Sequence, residues 1–402
     1  MSPSDYAERT GFGREPPFSI DSAEGSIVQD RQGRRYLDLT SGWNVVNAGW
    51  NNPEIWQAWL EAGLRNPFRP SWCDDDRFDA LTQRMASIAP GRRIIPACSG
   101  NEAVDNALKL ARLVTGRAGV ICFEGAYHGS GTGASLATGY HVPHLEALDL
   151  HGLRLSLPLP SQPDALERAE GAIRAFEEGG AIVFETVLTN LACEAVPQAF
   201  CDMLRRVASE LGLVLICDEI GTGMNRLGSP FSSLDSESDC GPDIILSAKA
   251  LTNGLYPLSL CLVRERLMRH VDISYFSSTY GGMPSGCAAA VATLDYHAEH
   301  GLGARAIEGG KALAAAIERH VIDIDGVRSL EGVGLERALH LDWMRLSRRG
   351  LSPFEMLAKL RDQGVFATLS PGEDHLMLMP PLTTPHDMLV DAVDAIGKVL
   401  RN

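Results

Sequence analysis

Continuous apolar runs alternate with amphipathic stretches through the middle of the chain. A run in which nearly every residue is apolar is typical of a strand that is buried on both faces of a sheet. Such runs occupy residues 120–123, 181–184, 213–217 and 244–248. Stretches of helical period separate them, from about residue 77 to residue 285. The pattern predicts an α/β fold with a mostly parallel sheet flanked by helices, in which ligands bind beyond the carboxyl ends of the strands.

The two ends of the chain predict a second, smaller unit. Residues 26–38 read as two short strands around a glycine-containing turn, and a helix is expected to begin near Pro53. The C-terminal part shows helical periods followed by strand-like pieces. We therefore predict a smaller α+β domain built from both chain ends. The expected division is residues 1–50 for the N-terminal segment of the small domain, 51–300 for the large domain and 301–402 for the C-terminal part of the small domain.

The composition argues against several classes of function. The chain has 402 residues and a formal net charge of -15, and 45% of its residues are hydrophobic. This acidic balance disfavours nucleic acids and anionic membranes as partners. No apolar run approaches the roughly 20 residues of a membrane span, and the N-terminal residues do not resemble a signal peptide. The nine cysteines form no C-x-x-C pair, so we expect reduced thiols in a cytoplasmic enzyme.

Two ionisable side chains follow buried runs. Asp218 comes directly after residues 213–217, and Lys249 comes directly after residues 244–248. A lysine in such a place is costly unless it is neutralised, paired or converted to an imine. A lysine that can form a Schiff base, together with a carboxylate that can face a pyridinium nitrogen, is the polar equipment that pyridoxal phosphate needs. The pair therefore predicts a site for that cofactor.

A short polar turn before an amphipathic helix is a candidate phosphate site. The Ser99 hydroxyl and the amides of Gly100 and Asn101 could bind a phosphate at the positive end of the helix dipole. The same residues also fit a plain N-cap formed by Ser99. Thr279, which lies close to two glycines, is a second candidate donor to a phosphate.

Other candidate residues are ambiguous when each is taken alone. The ring of Tyr127 could stack on a heteroaromatic cofactor, but Tyr127 and His128 also fit the role of half-buried packing residues. Trp43 could form a wall of a substrate pocket or belong to the core. Glu185 follows a buried strand, and Asn190 is expected near the reactive face. Since no cluster of histidine, cysteine and carboxylate has zinc-like spacing, we expect no metal.

The order and spacing of these motifs are more specific than any one of them. Over nearly its whole length the chain resembles the class III (omega) pyridoxal-phosphate-dependent aminotransferases, which have fold type I. Besides Glu185 and Arg226, the motifs that carry the resemblance are SGNEA at 99–103, YHG at 127–129, DEIGTG at 218–223, SAK at 247–249 and TYGGMP at 279–284.

The resemblance implies catalytic roles for three residues. Lys249 would form the Schiff base with pyridoxal 5'-phosphate and then act as general acid and base. Asp218 would keep the pyridine nitrogen protonated, so that the ring draws electrons from the substrate. Tyr127 would stack on one face of the ring, and Ile220 would pack against the opposite face. The implied reaction moves an amino group from an amino donor to a ketone or aldehyde acceptor.

The resemblance also implies how the phosphate and the substrate are held. A threonine of the neighbouring subunit would join the phosphate donors, so a homodimer would be the smallest active unit. The expected cofactor-binding residues are Ser99, Gly100, Asn101, Tyr127, His128, Glu185, Asp218, Ile220, Lys249 and Thr279. The expected substrate pocket contains Trp43, Ser130, Asn190 and Met377.

Three departures from the family pattern bear on the substrate. Gly221 stands where many members have a glutamine that bonds the phenolic oxygen of the cofactor. Met377 stands close to the position of an arginine that grips a substrate carboxylate, and Asn190 replaces the acid that pairs with that arginine. We therefore expect a carboxylate-poor acceptor, such as a specialised metabolite or a modified peptide that carries a carbonyl.

Two alternatives stay open on the sequence alone. An aminomutase of the glutamate-semialdehyde type, or a racemase or epimerase of the same family, would use the same cofactor residues. A regulator that has lost its chemistry is disfavoured, because Lys249 and Asp218 have no structural reason to be kept together.

Overall fold

The computed structural model describes residues 18–139, 145–148, 150–235, 241–269, 272–372 and 375–401. Within these residues the strands, in chain order, are β1 (Ile20–Glu24), β2 (Ile27–Asp30), β3 (Arg35–Asp38), β4 (Arg92–Ala97), β5 (Gly119–Phe123), β6 (Arg154–Leu157), β7 (Gly179–Phe184), β8 (Val187–Leu188), β9 (Glu194–Ala195), β10 (Val214–Asp218), β11 (Ile244–Ser247), β12 (Ser259–Arg264), β13 (Val327–Val333), β14 (Glu336–Leu341), β15 (Val365–Phe366), β16 (Thr368–Leu369) and β17 (His375–Leu378).

The helices of the described residues are α1 (Pro53–Arg65), α2 (Asp76–Ile88), α3 (Gly100–Thr115), α4 (Ala165–Ala175), α5 (Gln198–Leu211), α6 (Glu265–Met268), α7 (Pro284–Glu299), α8 (Leu302–His320), α9 (Trp343–Arg348), α10 (Pro353–Asp362) and α11 (His386–Arg401). Several begin at side chains that accept hydrogen bonds from free backbone amides. Asn52 accepts from two amides at the start of α1, and Ser352 and Glu355 form a capping box at α10.

A seven-stranded sheet in the order β4-β12-β11-β10-β7-β5-β6 forms the centre of the molecule. Strand β12 runs antiparallel to both of its neighbours, whereas the pairs β10–β11, β10–β7, β5–β7 and β5–β6 are parallel. All the strands except β12 therefore end at the same edge. The predicted α/β fold with a mostly parallel sheet is confirmed.

The sheet is buried because apolar side chains leave both of its faces. In β5, Val120 and Cys122 pack in one cluster with the buried face of α3, while Ile121 and Phe123 pack in another cluster with α4 and α5. Alternate residues of a strand point to opposite faces, so a strand covered by helices on both sides must be apolar throughout. This requirement explains the uninterrupted apolar runs in the sequence.

The two chain ends meet in the smaller part of the molecule. The predicted hairpin forms between β2 and β3, with Ile27 opposite Leu37, and the C-terminal strand β15 pairs in parallel with β3. A second four-stranded sheet has the order β13-β14-β17-β16. Leu37 and Leu39 share one apolar core with residues of α8, α10 and α11. Strand pairing thus joins both ends of the chain, while the domain boundaries near residues 50 and 300 stay predictions.

Two local features go beyond the sequence expectations. Helix α7 begins at Pro284, because the fixed φ of proline suits the first turn of a helix. An additional strand, β1, precedes the hairpin and pairs with β2. Residues 1–17, which we assigned to the N-terminal segment, lie outside the described residues. No helix in the described part is long and apolar enough to cross a membrane.

Candidate active site

A cavity of about 490 Å³ opens at the carboxyl edge of the central sheet. The segments that follow β4, β5, β7, β10 and β11 form much of its wall, as expected for a ligand site on a parallel sheet. Ten of the predicted site residues line it, namely Ser99, Gly100, Asn101, Tyr127, His128, Glu185, Asn190, Asp218, Ile220 and Lys249.

Lys249 enters the cavity from an unusual backbone position. It begins a 3₁₀ turn (Lys249–Thr252) two residues after the end of β11, and its φ is +44°. Left-handed backbone is uncommon for a residue with a Cβ and is often found at functional sites. The following residues Ala250 and Leu251 are fully or almost fully buried and anchor the turn in the core. The half-buried amine of Lys249 is thereby held at the cavity wall.

Asp218 is fixed by two hydrogen bonds at the end of β10. Its Oδ2 lies 2.8 Å from His128 Nδ1, and its Oδ1 accepts the amide of Ile220 at 3.0 Å. His128 is itself held by its backbone amide, which donates to Thr138 Oγ1 at 3.0 Å. Both side chains are about 95% or more buried and both reach the cavity. A carboxylate oriented in this way can receive a hydrogen bond from a protonated ring nitrogen.

The N-terminus of α3 faces the same cavity. Ser99 caps the helix by accepting the amide of Glu102 at 3.1 Å, so the plain N-cap interpretation holds. The cap leaves the amides of Gly100 and Asn101 without partners inside the helix, because the first turn has none to offer. Both residues line the cavity. Capping and phosphate binding are therefore compatible at this turn.

Tyr127 and Ile220 present apolar surfaces to the cavity. Tyr127 is 41% exposed, and its hydroxyl lies 3.3 Å from Ser130 Oγ. Gly129, with a φ of +117°, lets the chain pass close to α3, since a Cβ there would lie 2.8 Å from Asn101 Oδ1. A planar ring can enter a cavity with such walls. These groups fit pyridoxal phosphate: the helix amides suit its phosphate, the buried carboxylate suits its ring nitrogen, and the amine suits its aldehyde.

Two buried acids lie beside these groups. Glu185, which follows β7, lines the cavity, and burial together with the negative charge of Asp218 raises its pKa well above the usual value. Glu336, the first residue of β14, is fully buried, and its Oε1 lies 2.6 Å from Thr189 Oγ1. Burial also raises the pKa of Glu336. The site therefore holds carboxyl groups that favour their neutral form.

Arg226 supports the site from behind. Its fully buried guanidinium donates to the carbonyl oxygens of Leu335 at 3.1 Å and Pro380 at 2.6 Å, and to Ser41 Oγ at 3.0 Å. It also bonds the side chain of Asn47. Burial lowers its pKa to about 10, so it keeps its charge at neutral pH. Arg226 thus joins the large domain to both chain ends and does not line the cavity.

Four predicted site residues do not line the cavity of this chain. Met377 is fully buried in an apolar cluster, and Trp43 packs against that cluster, so hydrophobic packing accounts for both. Ser130 is exposed, and it contacts two lining residues, Tyr127 through its hydroxyl and Asn101 through its backbone amide. Thr279 is exposed and does not line the cavity, although its neighbour Ser278 lies 3.6 Å from Cys98, which does. A role for Thr279 in the site of a neighbouring subunit stays a prediction.

Sequence reasoning missed several residues that shape the site. Thr189, Tyr256 and Val45 line the cavity, and Glu336 lies directly behind Thr189. Glu336 gave no local signal, because its strand β14 also carries Arg337 and His340 and is not a continuous apolar run. Among the described residues there is no group of three or more histidine, cysteine or carboxylate side chains that could hold a metal ion.

Comparison with curated proteins finds relatives along almost the whole chain. The 4-aminobutyrate aminotransferase of Escherichia coli (strain K12) is 30% identical over 408 residues, covering 96% of this chain and 94% of the relative. The acetylornithine aminotransferase of Methanothermobacter thermautotrophicus is 27% identical, with the same two coverages. The profile of the class III aminotransferases matches residues 12–400.

Solved structures show the same fold. An amine transaminase from an uncultivated Pseudomonas species, in its pyridoxal-phosphate-bound form, has a TM-score of 0.85 at 26% identity, covering 96% of this chain and 94% of that chain. The ornithine aminotransferase of Toxoplasma gondii has a TM-score of 0.86 at 22% identity, over 99% of this chain and 94% of that chain. With the profile match over nearly all its residues, the chain belongs to the class III aminotransferases and is a pyridoxal-phosphate-dependent transaminase.

Proposed function

We propose that the enzyme transfers an amino group to a ketone or aldehyde that carries few carboxylates, such as a specialised metabolite or a modified peptide. One observation carries this proposal: no arginine is among the described residues that line the cavity. A substrate diacid needs a guanidinium to pair with its carboxylates. Here the ionisable lining groups include Lys249, Asp218 and Glu185, and Met377 is part of the apolar core.

The proposed roles of the polar residues follow from their positions. Lys249 holds the aldehyde of pyridoxal phosphate through its amine, and the same amine moves a proton at the substrate carbon. Asp218, oriented by His128, holds the proton on the ring nitrogen. When bound, pyridoxal phosphate supplies an electron sink for the bond changes at the substrate carbon. Tyr127 and Ile220 hold the ring between them.

The phosphate and the subunit contact are part of the proposal. The amides of Gly100 and Asn101 and the hydroxyl of Ser99 bind the phosphate at the start of α3. Thr279 serves the site of a neighbouring subunit in a homodimer. This arrangement is supported by the exposure of Thr279 and by its absence from the lining of its own chain's cavity.

The two half-reactions can be tested separately. The enzyme is first loaded with an amino donor, chosen from ornithine, 4-aminobutyrate and alanine, and the absorbance of the bound cofactor records the loading. The loaded enzyme is then mixed with single acceptors, either neutral ketones and aldehydes or 2-oxo diacids. We expect neutral carbonyl compounds to restore the original absorbance with the higher kcat/KM. A clear preference for the 2-oxo diacids would refute the proposed acceptor class.

The same loading step distinguishes the reaction types left open by the sequence. A transaminase releases an oxo product when it receives a donor alone, and it keeps the amino group until an acceptor arrives. An aminomutase or racemase would instead interconvert or racemise the donor with no external acceptor. The proposal requires stoichiometric oxo product in the absence of an acceptor.

A further inference from the structure

A small space beside the amine of Lys249 is bordered by a second polar side chain. A Cβ placed on Gly221 would lie 3.5 Å from Lys249 Nζ and 3.5 Å from Thr189 Oγ1. The amine and the hydroxyl therefore face the same space, which is open because residue 221 has no side chain. Thr189 is 5% exposed and lines the cavity. A group that is bound to Lys249 and fills this space comes within reach of the Thr189 hydroxyl.

Glu336 lies directly behind this hydroxyl. Its Oε1 is 2.6 Å from Thr189 Oγ1, and its Oε2 has no hydrogen-bond partner among the described residues although it is fully buried. An ionised carboxylate in this place would be costly, whereas a neutral carboxyl has a proton to donate. With Glu336 ionised, Thr189 donates to it; a neutral Glu336 can donate instead, and the threonine's own proton then becomes available to Glu185, which it also contacts, or to a ligand in the cavity.

The charges around Glu336 act in both directions. Burial has the largest effect and raises the pKa of Glu336, while the hydrogen bond with Thr189, the charges of Arg226 and Lys249 and the side chain of Asn44 all favour its ionised form. The other titratable groups facing it are Glu185 and Cys193, whose own pKa values its negative charge raises. A neutral Glu336 avoids placing a second buried negative charge beside Glu185.

We propose that Glu336 and Thr189 form a donor pair, in which Glu336 donates to Thr189 and Thr189 donates to the phenolic oxygen of the cofactor. This inference rests on the proposed function, in which Lys249 binds the aldehyde. The aldehyde and the phenolic hydroxyl sit on adjacent ring carbons, so the phenolic oxygen lies beside the amine that binds the aldehyde. Thr189 is then the residue that contacts the cofactor, and Glu336 is the positioning residue behind it.

The donor pair has a spectroscopic consequence. A hydrogen bond from Thr189 weakens the attraction of the phenolic oxygen for the proton on the Lys249 nitrogen. Removing that bond should raise the pKa at which the visible absorbance of the holoenzyme changes. A single hydrogen bond of ordinary strength corresponds to a shift of about one pKa unit.

Four variants of the holoenzyme test the pair by absorbance titration. Thr189→Val removes the hydroxyl with little change of shape, and Glu336→Met removes the carboxyl, so each should raise the pKa of the absorbance change by about one unit. Thr189→Ser keeps a hydroxyl and Glu336→Gln keeps a donor, so both should stay close to the wild-type value. A melting curve of each variant verifies that it is folded.

Thr293→Val is a matched control for loss of a buried hydroxyl. Thr293 is fully buried in α7, and its hydroxyl donates to Ala289 O at 2.7 Å, away from the cavity. Its substitution should leave the absorbance titration unchanged. A Thr189→Val holoenzyme that titrates like the Thr293→Val control would overturn the inference. A shift in Thr189→Val without one in Glu336→Met would overturn the positioning role of Glu336.

The result also separates this inference from the proposed function. Wild-type protein that gains no visible band from pyridoxal phosphate, and no borohydride-trapped adduct at Lys249, would refute the proposed role of Lys249 itself. Wild-type protein with the band and the adduct keeps that role, and the variants at positions 189 and 336 then decide the donor pair alone.

Discussion

Single residues in this site are held by a neighbour that fixes their orientation. Asp218 is positioned by His128 at 2.8 Å, and Thr189 lies 2.6 Å from Glu336. Side chains held in this way lose little freedom when a ligand binds, so the ligand does not bear the cost of ordering them. Lys249 differs, because its strained backbone rather than a side-chain partner aims it into the cavity.

Lys249→Ala should abolish turnover, with kcat falling by at least about 10²-fold because proton transfer by the amine is lost. The borohydride-trapped adduct should disappear at the same time. Steady-state kinetics and mass spectrometry of the reduced protein measure the two effects. Lys311→Ala, which removes an exposed lysine of α8, should change neither. Full turnover by the Lys249→Ala protein would contradict the mechanism.

The sequence indicated those site residues that follow strands directly. Asp218 and Lys249 stand just after apolar runs. All strands of the central sheet except β12 end at one edge, so it was predictable that these two side chains lie close together. Glu336 was not predictable in this way, since its partner Thr189 is 147 residues away along the chain. Met377 was predicted to lie in the substrate pocket because it stands close to the position of an arginine in the family pattern. In the fold it is surrounded by apolar side chains and belongs to the core.

At the scale of helices and strands, the fold depends on close approaches between backbones. A Cβ on Gly310 of α8 would lie 2.0 Å from the carbonyl oxygen of Gly334, whereas a Cβ on Gly171 of α4 would meet no atom within 4 Å. Both glycines are inside helices, where glycine is otherwise unfavourable. Close packing requires a glycine at position 310 but not at position 171.

Gly310→Ala and Gly171→Ala should therefore have opposite effects on stability. The first should lower the free energy of unfolding by about 1–3 kcal/mol, because the helix must move away from the turn at Gly334. The second should raise it by about 0.5–1 kcal/mol, because alanine loses less backbone entropy in a helix. Urea unfolding measures both changes. A stabilised Gly310→Ala protein would contradict the close packing of α8.

Strands could be predicted from the sequence where the evidence for them was a run of apolar residues within the strand itself. The runs at 120–123, 181–184, 213–217 and 244–248 all became strands of the central sheet. The antiparallel direction of β12 was not predicted, because direction depends on the route of the chain between strands and not on the strand's own residues. The parallel pairing of β15 with β3 was also beyond local patterns, since it joins opposite chain ends.

At the scale of the whole molecule, buried neutral groups make stability depend on pH. His297 in α7 is 3% exposed, and its Nδ1 lies 3.0 Å from Asn225 Oδ1. Burial, aided by the charge of Arg226, lowers its pKa to about 3. Between that value and about 6.5, the unfolded chain binds a proton at this residue that the folded chain does not bind.

His297 should therefore lower the free energy of unfolding as the pH drops below about 6.5, whereas Glu185 and Glu336, whose pKa values burial raises, act in the opposite direction. His297→Gln should remove the contribution of the histidine, which is up to about 1.4 kcal/mol per pH unit. Stability above pH 7 is less informative, since His297 is neutral there in both states. Urea unfolding across the acidic range provides the measurement, with His386→Gln as the control at an exposed histidine. An unchanged slope in His297→Gln would show that His297 does not titrate as inferred.

A shared active site can be tested by mixing two inactive subunits. If Thr279 serves the neighbouring site, a dimer of one Lys249→Ala subunit and one Thr279→Ala subunit contains one intact site. Refolding the two proteins together at equal amounts should restore about a quarter of the wild-type activity, because half of the dimers are mixed. Each variant refolded alone is the control. Absence of any recovery would contradict a contribution across the interface.

The pairing of β15 with β3 has a consequence during biosynthesis. Leu37 and Leu39 donate their amides to the carbonyl oxygens of Gly364 and Phe366, which the ribosome adds much later in translation. At about 5–20 residues per second, a ribosome needs tens of seconds to pass from one strand to the other. Throughout that interval the N-terminal hairpin has an open edge and an uncovered apolar face, which chaperones recognise. Growing chains should therefore depend on chaperone protection more than the finished enzyme does.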